Sequence, residues 1–505
     1  MMFLPILLIG IIIFLISYVI YHRYSYFFRR SIPSPAITSI IFGHLSELWS
    51  VQSYSEQLRQ WTLQYGSIYG TFEGTRPLYV VSDMKFIEEV YVKQFARFYA
   101  RRTAFSSRIL GNTRSNVFTA NLPQLWKRQR MILNPTFSGA KMRRLLPTVD
   151  ICINTFLERL SMITDGTIIN IYEIYKRLTM DVICQCAFSI DTKVQNDMNN
   201  NNIYMKKIEE LFAKDFERTN LGKIHRIISN TRLARICSLL YQLKQFFHCQ
   251  TSSLPANFWL IENMQKFIQQ RVIELDHKKR VDDFIQLMID AVHSEKGQLS
   301  SSELFSNAFV LLIAGFETTS TALGYCTYRL AIHQDIQAKL YEEILEHWSS
   351  ETNSYDVIMT KLTYLDYFVK EVLRMYPIAI QAINRQCMED TDVVGYQIEK
   401  GSLIQVDVFS VHFNQELWGP EAVEEFHPER HSQKRNPLAF LTFGAGPRTC
   451  LGMRFALMEI KLCLVRLINE YQLLPASDEK YKMNIREHIV IQPEKVFVRL
   501  EKRSA

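Results

Sequence analysis

The 505-residue sequence has no internal repeat, no low-complexity tract and no break in composition after residue 36. Those absences argue against a string of modules and for one large globular domain, which 48% hydrophobic residues are enough to fill. A glycine fingerprint for a flavin or a nicotinamide is also missing, so any redox chemistry must draw its electrons from a separate protein. Paired cysteine spacing is absent too: the nine cysteines are odd in number and scattered, which fits a reducing compartment better than a disulfide framework. Cys184 and Cys186 stand too close together for a usual zinc half-site and have no second pair, while Pro428 disturbs the helical spacing that His427 and His431 would need as metal ligands. The net charge of +7 comes from dispersed basic residues with no nucleic-acid motif, and nucleic acid is set aside as a partner.

Charge is absent from Met1 to Tyr21, a stretch of mostly Leu, Ile, Phe and Val that at helical rise crosses roughly 30 Å of hydrocarbon. A cleavable signal peptide would need a positive start and a small-residue cleavage site, and neither is evident. Arg23, Arg29 and Arg30 follow the apolar run, so the positive-inside rule places the remainder of the chain in the cytosol. Ile32-Pro33-Ser34-Pro35 then reads as a stiff spacer. The expected division is a transmembrane anchor at 1–21, a basic and proline-containing linker at 22–35 and a globular domain at 36–505.

Near the C-terminus stands Phe443-Gly-Ala-Gly446-Pro-Arg448-Thr-Cys450-Leu-Gly452, a glycine-punctuated loop around one cysteine that leads into an apolar helical pattern. Such a loop suits a thiolate ligand for haem iron: glycines admit a flat ring and point N–H groups at the sulfur, and an arginine two residues before can pair with an acidic group at the ring's edge. A buried structural cysteine is the competing reading. Upstream, Ser300-Ser-Ser-Glu303 forms a capping box for a long apolar run from Leu304 to Leu330, interrupted by Ala314-Gly315-Phe316-Glu317-Thr318-Thr319. A glycine in mid-helix costs about 1 kcal/mol against alanine, so something is gained there. A threonine bonded back to its own helix is the plain alternative for Thr318. Trp126 and Arg130 are four apart and share a helix face, with Lys127 and Arg128 elsewhere. Glu371 and Arg374 are three apart on an amphipathic helix that stops at Pro377.

Taken together, these four segments resemble the cytochrome P-450 monooxygenases across nearly the whole chain after the apolar start. The resemblance implies a mainly α fold, a large helical domain with small β-sheets, preceded here by one N-terminal transmembrane helix; Leu78–Ser82 and Leu403–Val408 are compatible strands. It implies haem b (iron protoporphyrin IX) as cofactor, Cys450 as the axial ligand of the iron, and Phe443, Gly446, Arg448 and Gly452 as its cradle. Trp126 and Arg130, with Arg101, Arg385 and Arg448, become donors to the haem propionates; a solvated surface charge is the alternative for any one of them. Gly315 leaves space for dioxygen, Thr318 holds a proton or water beside it, and Glu317 feeds protons inward. Glu371, Arg374 and Arg430 form a buried structural trio. His431 departs from the family, which usually has an aromatic residue there.

By the same resemblance, the aromatic stretch from Leu211 to Ile261, with Phe212, Phe216, Phe246, Phe247, Phe258 and Trp259, corresponds to lid helices above the haem, and Ile378, Ala379 and Ile380 face the pocket. Arg280–Asp290 and Gly452–Lys461 resemble the animal microsomal branch that oxidises drugs, steroids and other foreign compounds. The implied function is insertion of one atom of dioxygen into lipophilic xenobiotics, steroids or fatty-acid-like compounds. Electrons come from NADPH through a flavoprotein reductase, with cytochrome b5 as a further partner, at the endoplasmic reticulum membrane. Lys127 and Arg128 are candidate docking charges for that reductase. A haem-thiolate isomerase or dehydratase, and a non-catalytic haem sensor, are the alternatives.

Overall fold

The computed structural model describes residues 3–102, 115–163, 166–197, 201–213, 223–224, 256–274, 283–294, 298–351, 354–477, 483–488 and 490–503. The longer helices are α1 (Phe3–Tyr24), α2 (Tyr54–Tyr65), α3 (Pro123–Leu133), α4 (Gly139–Ser161), α5 (Ile171–Phe188), α6 (Ile203–Ala213), α7 (Ala256–Glu274), α8 (Phe284–His293), α9 (Ser301–Ile332), α10 (Gln334–His347), α11 (Thr363–Met375) and α12 (Met453–Glu470). The strands are β1 (Ile68–Glu73), β2 (Arg76–Val81), β3 (Ile168–Asn170), β4 (Asn384–Gln386), β5 (Thr391–Val393), β6 (Tyr396–Ile398), β7 (Leu403–Val406), β8 (Tyr471–Pro475), β9 (Ile485–Glu487), β10 (Ile491–Pro493) and β11 (Phe497–Lys502). The fold is mainly helical with small sheets, as expected.

The axis of the molecule is α9, whose 32 residues extend about 48 Å. Its start is fixed by the capping box: Ser300 accepts from the Glu303 N–H, and the Glu303 carboxylate accepts from the Ser300 N–H at 2.8 Å. Apolar side chains surround it because α5, α8, α11 and α12 all turn buried faces toward one core that includes Ile183, Phe284, Leu373 and Met458. This helix is long and apolar enough to pass for a membrane span, yet the apolar window is 67% buried, so it is the core helix of the domain.

The four-stranded sheet runs β1-β2-β7-β4. Its central pair brings together the two strand segments read from the sequence: β2 and β7 lie parallel with Leu78 opposite Leu403 and Val81 opposite Val406. A three-stranded sheet β3-β11-β8 ties the C-terminus to the start of α5, and β9-β10 form a hairpin beside α9. A second core beneath the larger sheet gathers Phe27, Ile32, Tyr79, Tyr91, Ile404 and Leu441.

Helix α1 leaves Ile6, Leu7, Ile11, Phe14 and Leu15 exposed. The segment that follows, expected as a linker with a stiff spacer, packs against the domain. Tyr26, Phe27 and Ile32 are buried in the second core, the Gly70 N–H donates to Pro33 O at 2.8 Å, and a side chain at Gly70 would collide with the Phe27 ring. Burial of two aromatics and an isoleucine outweighs the freedom of a short linker.

Candidate active site

The cysteine loop closes on itself before it reaches α12. The Cys450 N–H donates to Phe443 O at 2.8 Å, and Gly444 and Gly446 both sit at positive φ, 74° and 67°. At Gly446 a Cβ would collide with the Tyr91 carbonyl, so only glycine fits. Gly452 is different. Its φ is −86° and a Cβ there would meet nothing nearer than Phe137 at 3.7 Å, so protein packing does not demand glycine at this position. Cys450 is exposed to a cavity and otherwise enclosed by protein. Burial pushes its thiol up, opposed by the backbone N–H groups of Gly452 and Met453 and by the charges of Arg130 and Arg101. Those opposing groups all favour a thiolate.

A cavity of about 290 Å³ lies between the cysteine loop and the middle of α9. Cys450 and Phe443 of the loop, Ala314, Gly315 and Thr318 of α9, and Trp126, Arg101, Arg130, Arg385 and Arg448 all line it. Four guanidinium groups thus converge on one space. The hydrogen bonds they make within the described residues go to backbone carbonyls. Arg101 donates to Phe118 O at 3.2 Å and Arg448 O at 3.4 Å, Arg130 to Thr449 O at 2.9 Å, Arg385 to Asn384 O at 2.8 Å and Ala445 O at 3.4 Å, and Arg448 to Phe118 O at 3.2 Å and to Ala120 O. Nε of Arg101, Arg385 and Arg448 is buried without a partner among the described residues. Burial lowers all four, and repulsion adds to it at two: Arg448 falls to about 9 through burial and the neighbouring Arg385 and Arg130, and Arg101 falls well below its ordinary value through burial and the neighbouring Arg385 and Arg448. A site that holds four cations against burial is built to receive anionic groups.

On α9 the three expected residues separate. Thr318 lines the cavity and its hydroxyl donates back to Ala314 O at 2.6 Å, which leaves its oxygen lone pairs free to accept from the cavity side. Gly315 also lines the cavity, but a Cβ there would meet Ile183 Cδ1 at 2.8 Å and Cγ1 at 2.9 Å, so this glycine lets α5 and α9 approach closely. Glu317 does not reach the cavity. It is buried on the α5 side, where Tyr172 Oη donates to its Oε1 at 2.9 Å. Burial raises its carboxyl, with Lys176, Tyr172 and Arg486 pulling the other way.

Glu371, Arg374 and Arg430 come together in full burial. Arg374 Nε and Nη2 donate to the two oxygens of Glu371 at 2.8 and 2.9 Å, and Arg430 Nε donates to Oε1 at 2.9 Å. Arg374 also binds the carbonyls of His412 and Val423, and Arg430 those of Trp418, Ala422 and Glu425, so the trio staples α11 to the loop that precedes the cysteine segment. His431 joins as a fourth member. Its Nε2 lies 3.0 Å from Glu371 Oε2, and its ring packs 5.2 Å from Trp418 and 6.1 Å from Phe440. The histidine therefore keeps the place of a ring and adds a polar contact. Burial raises the Glu371 carboxyl, but the hydrogen bonds and charges of Arg374 and His431 prevail and hold it at about 2.

The family model for cytochrome P450 matches residues 33–500. The chain belongs to the cytochrome P450 family. This P450 is 32% identical over 483 residues to the protein named CYP13A4 of Caenorhabditis elegans, covering 88% of this chain and 89% of that relative. It is 30% identical to cytochrome P450 3A31 of Mesocricetus auratus, covering 94% and 92%, and 30% identical to cytochrome P450 3A2 of Rattus norvegicus, covering 97% and 95%. It is a cytochrome P450 monooxygenase, and the family's cofactor is haem. The cavity's residues fit that group: one cysteine sulfur with backbone donors to it, in a space lined by cations that have no carboxylate partner among the described residues.

Other expectations about this P450 resolve unevenly. Ile378 and Ala379 line the cavity, but Ile380 turns into the second core, and Ala382 and Ile383 take the wall instead. Phe212 and Trp259 pack on the main core, Phe212 against Phe316 at 6.1 Å and Trp259 against Tyr204 at 5.2 Å; Phe216, Phe246, Phe247 and the Phe258 side chain lie outside the described residues. Arg280 also lies outside them. Of the two expected docking charges, both exposed, Arg128 pairs with Glu303 at the start of α9, whereas Lys127 makes no ion pair among the described residues.

Proposed function

We propose that this P450 inserts one oxygen atom of O2 into lipophilic molecules of the xenobiotic, steroid or fatty-acid-like kind, using electrons from NADPH delivered by a membrane flavoprotein reductase. The observation that carries the reading is that Cys450 and Thr318 line one largely apolar cavity. When bound, haem supplies oxygen activation and oxidising power. Cys450 would hold the iron, and Arg101, Arg130, Arg385, Arg448 and Trp126 would hold the propionates. Val310, Leu311, Ala314, Ile378, Ala379 and Ile383 present hydrocarbon to the cavity, which excludes water and favours apolar substrates. Thr318 offers oxygen lone pairs that can steady a water there, and the buried carboxyl one residue earlier is the nearest store of a proton on that helix. Retention of both Glu317 and Thr318 favours oxygen insertion over isomerase chemistry.

Exposed apolar α1, about 33 Å long at helical rise, followed by Arg23, Arg29 and Arg30, supports a single anchor in the endoplasmic reticulum membrane with the domain cytosolic. Lys127 is the candidate contact for the reductase, and cytochrome b5 a second electron donor. The test is turnover of a panel of lipophilic compounds by the reconstituted protein under labelled dioxygen. The reading expects NADPH consumption and one labelled oxygen atom in the product; a rearranged product without label, formed without NADPH, would replace it with the isomerase reading.

A further inference from the structure

Behind α9, on the side away from the cavity, a closed polar group surrounds Glu317. Tyr172 Oη donates to Glu317 Oε1 at 2.9 Å and lies 3.1 Å from Thr321 Oγ1. The Gln492 amide sets its nitrogen toward Glu317 and 3.1 Å from Tyr172 Oη, while its oxygen accepts from Arg486 Nε at 3.1 Å and Nη2 at 3.3 Å. The reverse orientation would face its NH2 to a guanidinium and its oxygen to a carboxylate, so it is disfavoured. Lys176 Nζ stands 4.6 Å from the Tyr172 ring centroid and pairs with the half-exposed Glu173 at 3.0 Å. Arg486 is itself half-buried, so the group reaches from the helix backbone out to the surface of the β9-β10 hairpin.

We propose that Tyr172, seconded by Gln492, is the positioning residue for Glu317, holding its carboxyl on the α5 side of α9 and setting when it carries a proton. The inference rests on the monooxygenase reading only for the purpose that the proton serves. Its physical basis is local: a carboxylate buried among apolar helices needs donors, and two of those that Glu317 has come from α5 and β10, not from its own helix. The charged and titratable groups that face it are Tyr172, Glu173 and Lys176 from α5 and Arg486 from β9, with Tyr325 of α9 close to Tyr172. Of these, only Tyr172 both touches the carboxyl and is fully enclosed, so its hydroxyl is the contact that water cannot replace.

Infrared titration of the carboxyl C=O stretch in the full-length haem protein tests this, with Glu317→Gln assigning the band. Tyr172→Phe keeps the ring and removes the donor; the midpoint of the Glu317 band is expected to move up by about one to two pH units, the worth of a hydrogen bond to a charged group. Gln492→Leu is expected to move it in the same direction and guards against a local fault in the first variant. In turnover, the pH dependence of product formed per NADPH should follow the same displacement. A Glu317 band that neither variant moves, or no band that Glu317→Gln removes, overturns the proposal. If the band moves but no labelled oxygen reaches any product, the positioning role stands and the monooxygenase reading falls.

Discussion

At Thr318 two demands meet in one side chain: its hydroxyl hydrogen is taken by the Ala314 carbonyl, and its oxygen faces the cavity as an acceptor. Replacing it with alanine removes the acceptor and leaves the helix, the cysteine loop and the arginines that line the cavity untouched. Loss of such a group slows a proton transfer by about 10²–10⁴-fold. The expected result for Thr318→Ala is uncoupling: NADPH is still consumed, and hydrogen peroxide replaces oxygenated product. Parental product per NADPH with several substrates would make Thr318 a helix residue beside the cavity and nothing more. The neighbouring Glu317 shows how far a motif read along the chain can mislead about direction. Adjacent helix residues differ by about 100° around the axis, so when Thr318 looks into the cavity Glu317 looks at α5.

Among elements, the meeting of α5 with α9 is set by what Gly315 lacks. A methyl group at that point would press on Ile183 Cδ1, so Gly315→Ala is expected to destabilise the protein by about 1–3 kcal/mol despite the better helix propensity of alanine. Ile183→Ala deletes both close atoms, so the double variant should lose less stability than the sum of the two single losses, a non-additivity readable in thermal unfolding. Additive losses would show that the two helices can separate without cost. The Glu371 group makes a second element-scale prediction. Its carboxyl lies at about 2 in the fold against an ordinary 4.5, so it stabilises the fold at neutral pH by about 3 kcal/mol. That contribution is fully present above pH 4.5 and is lost as pH falls through the folded value near 2. The parent should therefore lose stability steeply over that window, and Glu371→Gln, weaker at neutral pH with two buried arginines unpaired, should show a flatter acid limb. Identical acid limbs would mean that the carboxylate is not held as described.

For the whole molecule, local patterns in the chain announced the elements, and long-range contacts decided their use. The capping box and the apolar run marked α9 to within a few residues, and β2 and β7 were visible as alternating strands, because such signals are complete within ten or thirty positions. The partners Tyr172, Gln492 and Arg486 carry no local mark, since they meet Glu317 only after separations of more than a hundred residues are closed by the fold. His431 could be seen as a departure, but its contact with Glu371 required the loop to be placed against α11. The burial of Tyr26, Phe27 and Ile32 was likewise hidden, because basic and proline residues around them read as a tether.

The central claim is that Cys450 ligates haem iron in a cavity lined by arginines, and one spectrum tests it most directly: the reduced carbon monoxide complex of the purified full-length protein beside that of Cys450→Ala. The account predicts a thiolate-type Soret band in the parent and its loss in the variant. The same band in both proteins, or none in a parent that retains haem, would contradict it.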